Sequence, residues 1–253
     1  MENRDINSYT QVYLHDDFEK IQVHYRREVV LKTLQKYHPR HILEIGCGAE
    51  SIALYYKDYD DLLVVEPSQP FVNINKSKNL YNTSFITGSF GEVIVTNQIC
   101  EYIKEKGAFD FILCSSLIHE LSDFSPILST IRTLATDETI IHINVPNSNS
   151  FHKIWALRAG LIPSLDSLSQ TAINYQQHHT FDAELLSKTA DDYGFEVIES
   201  GGIGFKLFNN AKMLKLLEMG ILDDKLLDAL ESMSDLFPGN TAEIFVNCKR
   251  KKN

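Results

Sequence analysis

The chain has 253 residues, 43% hydrophobic and 23% charged, with a formal net charge of −10. That length suits one large domain with a sizeable core, and the acidic balance repels phosphate backbones, which argues against nucleic acid as a main partner. No apolar run reaches the length of a membrane span, so no membrane insertion is expected.

The N-terminus, MENRDINSYTQ, is polar, and residues 1–12 read as loose. Four widely spaced cysteines, Cys47, Cys100, Cys114 and Cys248, form no CxxC pair and read as reduced thiols of a cytoplasmic protein. Over 14–37 the apolar residues Phe18, Ile21, Tyr25, Val29, Leu31 and Leu34 recur at helical spacing, and Pro39 ends the helix. A strand over 41–45 runs into two glycines and a helix over 49–57. Further strands are read at 61–66, 84–87, 109–114 and 139–145, with helices over 69–79, 92–104 and 125–135 between them. Short apolar strands alternating with helices indicate a doubly wound, Rossmann-like α/β fold with a parallel sheet. On such sheets ligands bind beyond the carboxyl ends of the strands, so Gly46, Glu66, Gly88 and Ser115 are expected to cluster.

The region 147–180 reads as one or two short helices and a loop over the strand ends. A helix over 182–193 has Asp182 as N-cap and Gly194 as its stop. A strand over 195–200 follows, and Gly201-Gly202-Ile203-Gly204 reads as a turn. Two amphipathic helices over 208–219 and 223–235 precede a last strand at 242–248. The chain is thus read as one domain, 1–253, with a helical cover at 1–40 and helical insertions at 147–180 and 203–238 beside the acceptor pocket.

The glycine turn decides between ligands. A dinucleotide fingerprint needs a third glycine three residues after Gly48, where this chain has Ser51. Glu44, two residues before Gly46, repels a pyrophosphate and suits a cationic ligand without phosphate. S-adenosylmethionine is such a ligand. Glu66 lies 18 residues beyond Gly48 at a strand end, where a ribose-binding acid is expected.

These residues resemble the class I S-adenosylmethionine-dependent methyltransferases. The likeness is carried by Glu44-Ile45-Gly46-Cys47-Gly48, by Glu66, by Gly88-Ser89-Phe90 and by the run from Phe109 through Cys114 and Ser115 to His119, Glu120 and Leu121. His179-Thr180-Phe181 and Gly194-Phe195-Glu196-Val197 add to it. It implies a seven-stranded sheet of order 3-2-1-4-5-7-6 with strand seven antiparallel, and an N-terminal helix over the cofactor that brings Tyr9, Tyr13 or Arg26 to its methionine end. The cofactor-binding set it implies is Tyr13, Arg26, Glu44, Gly46, Cys47, Gly48, Glu66, Pro67, Gly88, Ser89, Phe90, Cys114 and Ser115. Glu50 replaces a usual glycine, tolerable if it points to solvent. Ser89 replaces a usual aspartate, which leaves adenine to Phe90, to backbone groups or to the Ser89 hydroxyl.

Methyl transfer to a hydroxyl is helped by a general base, for which His119, His178 and His179 are the candidates; His142 reads as a core residue and His152 either as part of a lid or as an exposed histidine. No metal is expected, since Asp123, Asp137 and Glu138 lack a binding-loop pattern. Leu207, Phe208, Met213, Leu214, Leu216, Leu217, Met219 and Leu222 form a stripe suited to core, to a homodimer contact or to a wall of the acceptor pocket. The segment 144–152 is similar to methyltransferases acting on sugars or nucleotide-activated building blocks of bacterial surface polysaccharides, so the expected activity is O-methylation of a small-molecule acceptor. The alternatives are N-methylation of a small molecule, a nicotinamide-dependent oxidoreductase, disfavoured by Glu44 and Ser51, and a non-catalytic cofactor-binding partner protein.

Overall fold

The computed structural model describes residues 5–252. Two helices, α1 (Ile6–His15) and α2 (Asp17–Tyr37), open it. Residues 6–12, read as loose, are helical. The break falls at Asp16, whose backbone is extended and whose side chain accepts the Phe18 and Glu19 N–H groups, starting α2 afresh. His38 ends α2 in a left-handed conformation just before Pro39.

Seven strands follow: β1 (His41–Ile45), β2 (Asp61–Glu66), β3 (Thr83–Thr87), β4 (Phe111–Ser115), β5 (Ile140–Pro146), β6 (Phe195–Ile203) and β7 (Glu243–Arg250). They form one sheet of order β3-β2-β1-β4-β5-β7-β6. All neighbours are parallel except β7, which runs antiparallel to β5 and β6. Alternation along the central strands feeds two cores. Leu43, Ile45, Leu63, Val65, Ile112 and Cys114 face one side, with α4 (Val93–Lys106), α5 (Ser125–Leu134) and α8 (Ala183–Asp192). Ile42, Leu62, Val64, Phe111 and Leu113 face the other, under Val30 and Leu34 of α2. Helices on both faces are what continuous apolar strands require.

The remaining helices are α3 (Gln69–Ser77) after β2, α6 (Phe151–Arg158) and α7 (Gln170–Asn174) after β5, and α9 (Asn210–Glu218) and α10 (Asp224–Ser232) between β6 and β7. Met213, Leu222 and Leu227 from that last insertion bury against Phe18 of α2, so part of the apolar stripe is core.

Two elements differ from the sequence reading. The helix expected over 49–57 is a single 3-10 turn, Ile52–Leu54. Its first backbone donors point inward, to Asn75 Oδ1 from Ser51 (2.8 Å) and to Glu44 Oε1 from Ile52 (2.9 Å), and the turn ends with the Tyr56 N–H on Ile52 O (3.0 Å). Likewise, Gly201 and Gly202 lie within β6 rather than in a turn. A Cβ on Gly201 would stand 2.6 Å from the Phe245 ring, and one on Gly202 would stand 2.3 Å from the Thr241 side chain. Close packing against Phe245 of β7 and against Thr241 just before that strand requires these glycines, and the turn comes at Gly204 (φ +66°).

Candidate cofactor and acceptor site

The carboxyl ends of β1, β2 and β4 border a cleft of about 900 Å³, counting its open mouth. Its floor is the turn after β1. Gly46 donates to Val65 O (2.9 Å), and Gly46 and Gly48 hold φ of +76° and +54°, a region that strains residues with a Cβ. Glu66 is buried and clamps this turn. Its Oε2 accepts the Cys47 N–H (3.0 Å) and the Gly48 N–H (3.3 Å), and its Oε1 accepts the Ser68 N–H (2.8 Å).

Glu44 is buried on the wall of the same cleft. It accepts the Ser51 hydroxyl and the Ile52 N–H. Burial raises its carboxyl to about 7 against the opposing pull of these two hydrogen bonds. Ser51 thus stands where a dinucleotide turn has glycine because Glu44 needs a donor. Asn75 of α3 ties the turn from the far side, donating to Gly48 O at 2.9 Å. Sequence reading missed Asn75, whose only signal was a polar residue on an apolar helix face.

Helix α1 roofs the cleft. Tyr13 lies over the glycines, and a Cβ on Gly48 would stand 3.2 Å from its hydroxyl oxygen. Tyr13 meets Phe71 edge-on at 5.4 Å, and Thr10 shares a buried hydrogen bond of 2.9 Å with Ser68. At its other end, the Asp5 backbone exchanges hydrogen bonds with the Gln176 side chain.

The cleft wall brings together Tyr13, Arg26, Glu44, Gly46, Cys47, Gly48, Glu66, Pro67 and Ser115 from the expected set. It leaves out four. Cys114 points to the opposite face of the sheet from Leu113 and Ser115 and is fully buried, which pushes its thiol up to about 12. Phe90 is buried in that same core. Gly88 and Ser89 lie beside it, Gly88 donating to Glu66 O at 3.2 Å. Glu50, exposed and held by Arg27 (2.7 Å) and Tyr55 (2.6 Å), is also one of the residues that line the cleft.

The three candidate histidines do not line the cleft. His119 is buried behind it, its Nε2 3.9 Å from Glu120 Oε1, and Glu120 is the residue that reaches the wall. The His119 carbonyl accepts the backbone N–H groups of His178 and His179, which fasten the segment before β6 to the loop after β4. His178 is exposed, and His179 Nε2 lies 3.2 Å from Ser122 O against the Phe124 ring.

Arg26 sits at the inner end of the cleft in a buried network. Its Nε and Nη2 pair with both oxygens of Glu243 (2.8 and 2.5 Å), and its Nη1 with Glu19 at 3.1 Å. Burial opposes its charge, yet Glu243 and Glu19 hold the guanidinium firmly protonated. Asn144 Nδ2 adds a bond to Glu243 Oε2 at 2.9 Å. The stretch 144–152, which suggested a sugar acceptor, is largely a structural joint. Asn147, for instance, donates to Gly239 O and Thr241 O. Among the described residues, no group of three or more His, Cys, Asp or Glu is placed to hold a metal ion.

Residues 13–200 match a protein family described as "Methyltransferase domain". No curated protein matches the chain. Among solved structures, a methyltransferase from Thermotoga maritima, described as a possible histamine N-methyltransferase, aligns with a TM-score of 0.59 at 17% identity, covering 98% of this chain and 97% of that one. The plantazolicin methyltransferase BamL, bound to SAH (S-adenosylhomocysteine), aligns at 0.57 and 16% with the same coverages. The N-methyltransferase NodS from Bradyrhizobium japonicum, also with SAH, aligns at 0.56 and 11%, covering 97% and 100%.

Proposed function

The chain belongs to the S-adenosylmethionine-dependent methyltransferase family, and on that premise we propose that it methylates a hydroxyl oxygen of a small-molecule acceptor at the inner end of the cleft. The cofactor supplies an electrophilic methyl group on a sulfonium. The residues fit it. Glu66 presents a buried carboxylate beside the glycine turn, suited to ribose hydroxyls, and the wall's two arginines are already held by carboxylates, Arg26 by Glu243 and Arg27 by Glu50, leaving no cation set for a phosphate. Glu44, its carboxyl raised to about 7, adds partial negative charge on the wall at neutral pH.

The single observation that carries the reading is Glu66 bound to both N–H groups of the Cys47-Gly48 turn, since this fixes an acid where a nucleoside's ribose would lie. The chain's remaining task is to align the acceptor, exclude water and take up the hydroxyl proton. Tyr13 and α1 cover the cleft, and Glu120 with His119 behind it is the pair nearest to a proton-accepting role. His178 and His179 then act by holding His119 in place.

A second reading, methylation of an amine nitrogen, is favoured by the carboxylates Glu19 and Glu243 paired with Arg26 and by Glu120 on the same cleft wall. It is also in keeping with the N-methyltransferases among the similar folds. An acceptor screen reading SAH release separates the two readings. Turnover on hydroxyl compounds and none on matched amines supports the first, and the reverse pattern overturns it. Calorimetry with SAH tests the common premise, because a folded protein that does not bind it has another function.

A further inference from the structure

Helix α6 reads Phe-His-Lys-Ile-Trp-Ala-Leu-Arg, and none of its residues is fully buried. Spacings of four and three put Phe151, Trp155 and Arg158 on one face. Phe151 and Trp155 keep 37% and 47% of their surface exposed, so this stripe faces solvent. It continues onto the segment after β6, where Trp155 meets the Phe208 ring at 4.9 Å and Phe151 meets the Phe205 ring at 5.2 Å. Strands β5 and β6 both run antiparallel to β7, so both segments leave the end of the sheet that holds the cofactor cleft. A contiguous exposed apolar patch marks an interaction surface.

The local charge says what this surface fits. The chain has 34 acids, yet no Asp or Glu occurs from 139 to 165 or from 200 to 217, the two stretches that build the patch. Lys153 is offset by Asp166, and Lys206 is held by Gln22 and Asn210. The free cations are the other three. Lys212 Nζ lies 5.8 Å from the centre of the Phe208 ring, and Arg158 and Lys215 have no hydrogen-bond or ion-pair partner among the described residues. Elsewhere surface lysines meet acids, as Lys36 meets Glu199 and Lys251 meets Asp191. Aromatic rings flanked by free cations complement the boundary of an anionic bilayer, where the rings sit at headgroup level and the cations reach phosphates. The rest of the chain is acidic, but charges more than about 8 Å away are largely screened at physiological salt, so the nearby cations decide.

We propose that the face formed by α6 and the segment after β6 docks on a bilayer containing anionic phospholipid. Among the described residues no helix is long and apolar enough to cross a membrane, so the protein lies on the bilayer. The surface belongs to the fold and does not depend on which atom is methylated.

Trp155 is the only tryptophan in the chain, so intrinsic fluorescence reports on this face alone. The probes are vesicles of equal parts phosphatidylcholine and phosphatidylglycerol, and vesicles of phosphatidylcholine alone. The mixed vesicles are expected to move Trp155 emission to shorter wavelength, and brominated acyl chains in them to quench it. Binding to them should be at least about ten-fold tighter than to phosphatidylcholine, and should weaken as salt is raised. Arg158→Gln with Lys212→Gln should weaken binding about ten- to a hundred-fold, with an unchanged urea midpoint as proof of folding. The proposal is overturned if neither vesicle shifts the emission or sediments the protein, if phosphatidylcholine alone binds as tightly, or if the double variant binds as the wild type does. Emission that shifts with protein concentration in the absence of vesicles assigns the face to a second copy of the chain and overturns it as well.

Discussion

Replacing Glu66 by Gln isolates what the clamped glycine turn contributes. The side chain keeps its shape but loses its charge and gains an NH2 group. In the native site one carboxylate oxygen faces the Cys47 and Gly48 N–H groups, and the other faces the Ser68 N–H. A glutamine can turn its carbonyl to only one side. Its NH2 then meets donors on the other, so at least one backbone N–H loses its acceptor. An unsatisfied buried donor costs about 1–3 kcal/mol, and the remaining bonds lose their charge assistance. Urea unfolding at pH 7 should therefore show a loss of about 2 kcal/mol. SAH affinity should fall about ten- to a hundred-fold, since the turn and the ribose acceptor are impaired together. If the variant keeps its unfolding free energy within about 0.5 kcal/mol and binds SAH as the wild type does, the clamp is not what orders this turn.

Glu44 gives a pH signature. Its folded-state carboxyl, raised to about 7, binds a proton that the unfolded chain, at 4.5, has released, so stability falls as pH rises from about 4.5 to 7. Glu44→Gln should flatten that slope by about 1–3 kcal/mol, measured by urea unfolding at pH 5 and pH 8. Arg26→Ala leaves Glu243 buried without its main partner and should cost about 3–5 kcal/mol, whereas Arg26→Met with Glu243→Leu should cost clearly less in the same assay. Gly202→Ala should lose about 1–3 kcal/mol, seen as a lowered Tm, and Thr241→Ala in the same chain should restore part of it by removing the clashing atoms.

The sheet was legible because its central strands are apolar on both faces and sit between helical patterns, so period and length agreed. The strand order and the antiparallel β7 came from family resemblance, and the structure has both. Local periodicity failed where side chains bond the backbone. The segment after Gly48 forms a single 3-10 turn whose first N–H groups are held by Asn75 and Glu44, partners 24 and 8 residues away in sequence. The double glycine in β6 was misread because a glycine imposed by a neighbouring strand looks the same in sequence as one imposed by a turn. Within the site, Glu44, Glu66 and the glycines of the turn after β1 were readable, whereas Gly88, also at a strand end, lies off the cleft wall. Cys114 and Phe90 were not, since being next to a site residue in a strand or loop says nothing about which face a side chain takes. Glu243 carried no local signal, and tertiary packing alone brings it to Arg26 on the cleft wall.

Helix α1 is joined to the rest of the chain by the single non-helical residue Asp16. Among the contacts that hold it across the cleft are the buried Thr10–Ser68 bond, the Tyr13–Phe71 and Tyr9–Tyr175 ring contacts, and the Asp5–Gln176 pair at the surface. Such a set amounts to about 2–4 kcal/mol, far below the cost of deforming the sheet. Cofactor exchange can then proceed by swinging one helix while the glycine turn stays intact, at an open population on the order of 0.1–3%. Catalytic cadence in this protein would be set by a short hinge, so substitutions at Asp16 should alter the rate of SAH release more than its equilibrium affinity.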